Sequence, residues 1–201
     1  YGAPILSAEG ALRSGAGKVT ILSGAEELNA LRSLSRPEMM IRDSKDVKQL
    51  DGNNTVVIGP GGGRRNTDRK HLLQWMQSVT DSHMVLDADG LMAVASDVSV
   101  LKQCSHTLGK KGYSFVITPH LGEFSKLIDL PIKWIERHYI TLAREFAKAH
   151  QVILVLKGIP SIVALPDGTV YVNTIGNAGM GTGGMGDVLT GVIAGFISQG
   201  Y

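Results

Sequence analysis

The sequence predicts an α/β fold of three layers, α/β/α, with a mostly parallel central sheet covered by helices on both faces. Three observations carry that expectation. Strand-like and helix-like patterns alternate along nearly the whole chain. Several strands, TVVIG (55–59), HMVLD (83–87), SFVIT (114–118) and VILVLKG (152–158), are runs dense in Val, Ile and Leu, as strands buried on both faces read. Four clusters richest in chemistry, Gly59–Gly63, Asp87–Asp89, Thr118–Glu123 and Lys157-Gly158, fall at the carboxyl ends of those strands. Open α/β sheets bind ligands there, so one shared cleft is implied.

Taken in order, residues 4–14 (PILSAEGALRS) begin with Pro4, favoured at a first helical position, and stop before Gly15 and Gly17. KVTIL (18–22) is a short strand. Residues 24–34 read as helix, and 37–50 as irregular chain with Met39, Met40 and Ile41 in the core. The strand at 55–59 runs straight into Pro60-Gly61-Gly62-Gly63, and Leu72, Leu73, Met76 and Val79 mark a helix over 67–79. A helix at 90–103 follows the strand at 83–87. After the strand at 114–118 come Pro119-His120, a short helix near 122–129 and a long one at 132–150. In the long one Ile135, Tyr139, Leu142, Ala143 and Phe146 share a face. SIVAL (161–165) and TVYVN (169–173) flank the turn signal Pro166-Asp167-Gly168, which predicts a hairpin. The last stretch, NTIGNAGMGTGGMGDVLTGVIAGFIS (173–198), holds six glycines between Gly176 and Gly186. It then becomes a helix whose Val188, Val192, Ile193, Phe196 and Ile197 line one face.

Length and composition narrow the function. A chain of 201 residues suits one domain with a real core, and 43% hydrophobic with 19% charged residues describes a globular protein. A net charge of +2, with basic runs no longer than pairs such as Arg64-Arg65 and Lys110-Lys111, gives no electrostatic case for nucleic acid or membrane partners. The single cysteine, Cys104, excludes an internal disulfide and fits a reducing cytoplasm. No apolar run approaches the ~18 residues of a membrane span. The chain enters a helix at once and stops just after one, so further segments are expected beyond both ends.

The glycine-rich loop feeds a helix N-terminus, whose unpaired amides and positive dipole end form a ready anion site. Asp187, on the first turn beside that site, is either a helix cap or a base that accepts a hydroxyl proton. G-x-G-x-x-G occurs twice, at 179–184 and 181–186. No strand leads directly in, and the given chain ends before the acidic residue expected ~20 positions later, which argues against a dinucleotide fingerprint. No Walker loop is present either. Lys157 ends an apolar strand, and a buried ammonium needs a charged partner, which a phosphate would supply. His120 is structural or ligand-binding, Glu123 a helix cap or a functional acid, and Asp87 with Asp89 either caps or supports for magnesium.

Together these segments resemble the ADP/ATP-dependent NAD(P)H-hydrate dehydratases, a branch of the ribokinase-like superfamily. The matching stretches are GAPILSAEGALRSGAGKVT (2–20), VVIGPGGG (56–63), VLDADGL (85–91), ITPHLGEFSKL (117–127), LKGIPSIVALPDGTVYVN (156–173) and GNAGMGTGGMGDVLTGVIAG (176–195). They span almost the whole chain in family order. The resemblance implies a single ribokinase-like domain over 1–201, cut at both ends, that repairs hydrated NADH or NADPH. The ring hydroxyl would be phosphorylated by ADP or ATP and phosphate eliminated, with Mg2+ as cofactor. Asp187 would be the catalytic acid–base group, also binding substrate. Ala3, Gly61, Gly62, Gly63 and His120 would line the nicotinamide side. Lys157, Gly158, Ile159, Pro160, Ser161, Gly183, Gly184 and Gly186 would line the nucleotide side, with Asp87 and Glu123 as metal or supporting groups. A cytoplasmic homotetramer is implied as well.

Three departures stand out. Leu121 replaces the second proline of the family's Pro-His-Pro-Gly-Glu, which loosens that loop. Gly59-Pro60-Gly61-Gly62-Gly63 stands for Gly-Pro-Gly-Leu-Gly, and Gly184-Met185-Gly186-Asp187 for Gly-Thr-Gly-Asp, losing a hydroxyl near the phosphate. Two other readings fit the same glycine loop and Asp187. One is a ribokinase-like kinase of a small molecule such as a vitamin precursor; the other is an inactive nucleotide-binding module.

Overall fold

The computed structural model describes residues 1–45, 52 and 54–201. In chain order the elements are α1 (Gly2–Arg13), β1 (Thr20–Ser23), α2 (Leu28–Leu34), β2 (Met40–Asp43), β3 (Thr55–Ile58), α3 (Asn66–Ser78), β4 (His83–Leu86), α4 (Asp89–Val94) and α5 (Ser99–Gly109). There follow β5 (Phe115–Ile117), α6 (Leu121–Ile128), α7 (Ile132–Arg137), α8 (Tyr139–His150), β6 (Ile153–Leu156), β7 (Ser161–Ala164), β8 (Val170–Asn173) and α9 (Met185–Ser198). The main sheet runs β3-β4-β5-β6-β7-β8. Its first four strands are parallel, and β7 and β8 return antiparallel as the expected hairpin.

Period-two alternation in the parallel strands supplies two apolar faces. Val56, Ile58, Met84, Leu86, Phe115, Ile117, Leu154 and Leu156 point into the larger core with Leu72, Leu101, Phe124, Ile135 and Phe146 from the helices. Val57, Val85, Val116, Ile153 and Val155 point the other way, onto Ile193, Ala194 and Ile197 of α9. Helices therefore cover both faces, as strands with no polar side require.

Four sequence expectations change. Residues 37–50 are not all irregular, because Met40–Asp43 pairs in parallel with β1; residues 46–50 lie outside the described residues. The helix expected at 90–103 is two helices, broken where the Asp97 side chain accepts hydrogen bonds from the Ser99 amide and hydroxyl. The long helix at 132–150 breaks at His138, whose N–H donates to the Ile135 carbonyl, although Ile135, Ala143 and Phe146 keep their shared buried face. On α9 the fully buried positions are Thr190, Gly191, Ala194 and Gly195, whereas Phe196 is 48% exposed.

Those small residues exist because α1 crosses α9 at backbone contact. A Cβ on Gly191 would overlap the Ser7 carbonyl oxygen, and one on Gly10 would overlap that of Val188. Gly191→Ala must force the helices apart, an overpacking change at the upper end of the usual range. We expect a loss of about 3 kcal/mol in urea unfolding and a melting temperature lower by about 10 °C. An unchanged melting temperature would show that the crossing is not tight.

Candidate active site

The carboxyl ends of β3 to β6 converge with the N-termini of α1, α6 and α9. Gly59 ends β3 at φ +120°, and a Cβ there would overlap the carbonyl oxygen of Asp87, so glycine alone brings these two strand ends together. The following loop folds under α1: a Cβ on Gly61 would lie 2.9 Å from Pro4 Cδ and 3.6 Å from Ala3 Cβ. Asp89 pins its far side, accepting from the Gly63 amide at 3.1 Å while Arg64 Nε donates to the other oxygen at 3.1 Å. Ala3, Gly61 and Gly63 are thus brought together, with Asp89 as the brace.

His120 is the N-cap of α6. Its Nδ1 accepts from the amides of Gly122 at 3.0 Å and Glu123 at 3.2 Å, while Glu123 Oε2 accepts from the His120 amide at 2.8 Å, a reciprocal capping box. Because Nδ1 accepts, the neutral ring carries its proton on Nε2, in a side chain 59% exposed. Leu121 occupies the first helical position, where a proline would have forfeited no helical bond. The loop is stitched by its caps even without that proline.

Lys157 continues from β6 and bridges to His120; its amide donates to the Pro119 carbonyl at 2.8 Å. Its ammonium meets a protein partner rather than waiting for a phosphate: Nζ lies 2.9 Å from Oδ1 of Asp87, which is only 1% exposed. Thr190 Oγ1 donates to the second Asp87 oxygen at 2.6 Å. Asp87 therefore has both oxygens engaged, and Glu123 is committed to its capping box, 4.0 Å from Lys157 Nζ. This donor set does not fit a protein-held magnesium ion. Among the described residues no group of three or more His, Cys, Asp or Glu gathers as a metal site. The expected metal role of Asp87 and Glu123 gives way to a charge-balancing one.

On the nucleotide side, a Cβ on Gly186 would lie 3.3 Å from Lys157 Nζ, so the ammonium sits directly over the first turn of α9. Gly184 is the N-cap of that helix, at φ +87° and against Leu6 of α1. Ser161 Oγ donates to the Gly158 carbonyl at 2.9 Å, folding back the Gly158-Ile159-Pro160 loop and leaving Ile159 96% exposed. Tyr139, unforeseen as a site residue, lies under Gly158 and donates to the Leu156 carbonyl at 3.3 Å.

Asp187 makes no capping bond. α9 has no side-chain cap bond, and among the described residues the Asp187 carboxylate has no hydrogen-bond or ion-pair partner. Burial pushes its carboxyl above the ordinary range, the Asp87 carboxylate adds to this, Lys157 opposes it and Asp89 adds a little. A half-buried, unpartnered acid on the first turn of a helix is a candidate proton acceptor. Cavities of about 320 Å3 beside Arg32, Arg36 and Met39, and of about 330 Å3 beside His83 and Tyr113, contain none of these groups. Sequence reasoning misses Thr190; its one signal is a hydroxyl on the buried side of α9, one turn after Asp187.

The three-layer sandwich is of the ribokinase-like class, superposing on a ribokinase-like superfamily protein of Enterococcus faecalis with a TM-score of 0.79 at 26% identity, covering 98% and 67% of the two chains. Within that class the chain belongs to the NAD(P)H-hydrate dehydratase family, whose model matches residues 1–201. It is 36% identical to the bifunctional NAD(P)H-hydrate repair enzyme of Moorella thermoacetica, over 99% of this chain and 38% of that protein. It is 31% identical to the ADP-dependent (S)-NAD(P)H-hydrate dehydratase of Neisseria meningitidis, over 99% of this chain and 66% of that one. The fold superposes on the Bacillus subtilis ADP/ATP-dependent NAD(P)H-hydrate dehydratase, co-crystallised with ATP and Mg2+, with a TM-score of 0.75 at 27% identity, covering 98% and 68% of the two chains. The chain spans 36–40% of the length of the bifunctional relatives it matches.

Proposed function

We propose that this chain dehydrates the S form of hydrated NADH or NADPH, with ADP or ATP as phosphoryl donor, as a carbon–oxygen hydro-lyase of nicotinamide-nucleotide repair. The observation that carries it is the unpartnered Asp187 carboxylate on the first turn of α9, the turn over which the Lys157 ammonium lies. Asp187 accepts the proton of the ring hydroxyl as its oxygen bonds to the terminal phosphorus of the nucleotide. The bond from that phosphorus to the donor breaks, releasing AMP or ADP. Amides of Gly183–Gly186 and the lysine hold the charge that spreads over the phosphoryl oxygens. The carbon–oxygen bond then breaks, phosphate leaves with the electron pair, and a proton on the adjacent ring carbon passes to solvent water, its C–H electrons restoring the dihydronicotinamide double bond.

In this reading the nucleotide lies along Lys157, Gly158, Ile159, Pro160 and Ser161 up to Gly186. The hydrated ring lies by Ala3, Gly61, Gly63 and His120. Asp87 and Glu123 are engaged with Lys157, Thr190 and the α6 cap, so a magnesium ion carried by the nucleotide would supply neutralisation of phosphate charge without them. The family likeness also brings a cytoplasmic homotetramer into the proposal.

The test follows the absorbance of the reduced-nicotinamide band while the protein meets NADH hydrate, magnesium and either ADP or ATP. We expect the band to return with one of the two nucleotides. Phosphorylation of a stable alcohol with no such recovery would favour the small-molecule kinase, and nucleotide binding without any turnover the inactive module.

A further inference from the structure

We infer that Thr190 and Asp87 are positioning residues that fix the Lys157 ammonium at the phosphoryl position, an inference that rests on the nucleotide-side assignment above. The chain of contacts is short and buried. Thr190 is fully buried on α9 and its hydroxyl donates at 2.6 Å to Asp87 Oδ2; Asp87 Oδ1 faces Lys157 Nζ at 2.9 Å; Nζ in turn lies over Gly186. The hydroxyl of Thr118, also fully buried, sits 3.5 Å from that of Thr190 and closes the far side. A charge-assisted bond to a buried carboxylate is among the stronger interactions a hydroxyl makes. Thr190 also lies 3.0 Å from the Gly186 carbonyl, one turn back, but its single proton goes to the charged, closer acceptor.

The backbone beneath Asp87 is held against its preference. Ala88 adopts φ 49° and ψ −120°, a conformation that side chains disfavour, directly after Asp87. The Asp87 amide donates to the Ile58 carbonyl at 3.1 Å and its carbonyl accepts from Gly90 at 3.0 Å. Strand β3, strand β4 and helix α9 thus combine to aim one carboxylate at one lysine. A stand-alone ion pair would need none of this aiming. The lysine can reach a phosphate on α9 without leaving Asp87, because its ammonium carries three donors.

Thr190→Val keeps the shape and removes the hydroxyl, while Thr190→Ser keeps the hydroxyl and removes a methyl group. Nucleotide dissociation constants by calorimetry, Michaelis constants for both substrates and melting temperature are measured on the full chain. We expect Thr190→Val to weaken nucleotide binding by about tenfold or more. The Michaelis constant for the hydrated cofactor should stay within about twofold, and Thr190→Ser should recover nucleotide binding. Equal loss of both substrates, no loss of nucleotide, or a Ser variant as weak as Val would each overturn the inference. If the unaltered protein binds no nucleotide, the functional reading falls with it. If it binds and turns over but is indifferent to Thr190→Val, only the positioning role falls.

Discussion

Asp187→Asn should abolish dehydration, lowering kcat by about a hundredfold to ten-thousandfold, the usual worth of a positioned general base. It should do so without unfolding the chain. The structure adds a second expectation that separates this variant from a merely damaging one. A carboxyl whose folded pKa is raised favours its protonated form in the fold. That contribution is present below the unfolded pKa and is lost as pH rises through the raised folded value. At neutral pH the ionised Asp187 is therefore a cost, with burial and Asp87 working against it. The amide that replaces it carries no charge, so the variant should melt at the same temperature or higher at pH 7, and the gain should vanish in acid. Activity of the unaltered protein has the opposite dependence. The base must be ionised, so kcat falls as pH drops through the raised value, at a pH above the ordinary aspartate range. Measured as a pH series of kcat and of melting temperature, full activity in Asp187→Asn would refute the base. A lower melting temperature at neutral pH would instead restore Asp187 to a structural role.

Much of this is legible in the sequence because parallel strands must bring their carboxyl ends to one edge. Reading 55–59, 83–87, 114–118 and 152–158 as parallel is enough to gather Gly59, Asp87, His120 and Lys157, and the structure joins all four. Partners are harder. Lys157 reads from sequence as a buried cation in need of an anion, but strand order alone does not say that Asp87, seventy residues away, supplies one. Thr190 is invisible for a related reason: inside a helix a threonine is neutral to pattern, and its role exists only once α9 lies over β4. Helix breaks at Asp97 and His138 hide under unbroken apolar periodicity, since local capping bonds rather than hydrophobic spacing create them. Periodicity finds Ile193 and Ile197 of α9, which pack on the sheet, but wrongly adds Phe196 and passes over Gly191 and Gly195, because large residues mark burial in most helices whereas here the closest contacts need glycine.

Lys157→Ala should be the most destabilising single change at the site, which alters how its effect on nucleotide binding is to be read. It strips the charge partner from Asp87, leaving a carboxylate 1% exposed with only the Thr190 hydroxyl for compensation. Breaking a buried pair by removing one member typically costs about 3–5 kcal/mol, chiefly from the charge left behind. For a chain of this length that corresponds to a fall of about 10 °C or more in melting temperature. Weak nucleotide binding by this variant alone is therefore open to a second explanation, a loosened strand end. Adding Asp87→Asn to the same chain removes the orphaned charge and should return most of the stability, because the amide oxygen introduced there can still accept from Thr190. If Lys157 contacts the phosphates directly, the stabilised double variant remains about tenfold or more weaker for nucleotide than the unaltered protein. If binding recovers along with stability, the lysine serves Asp87 rather than the ligand. Recovery of neither would mean that the pair is not the unit the geometry describes.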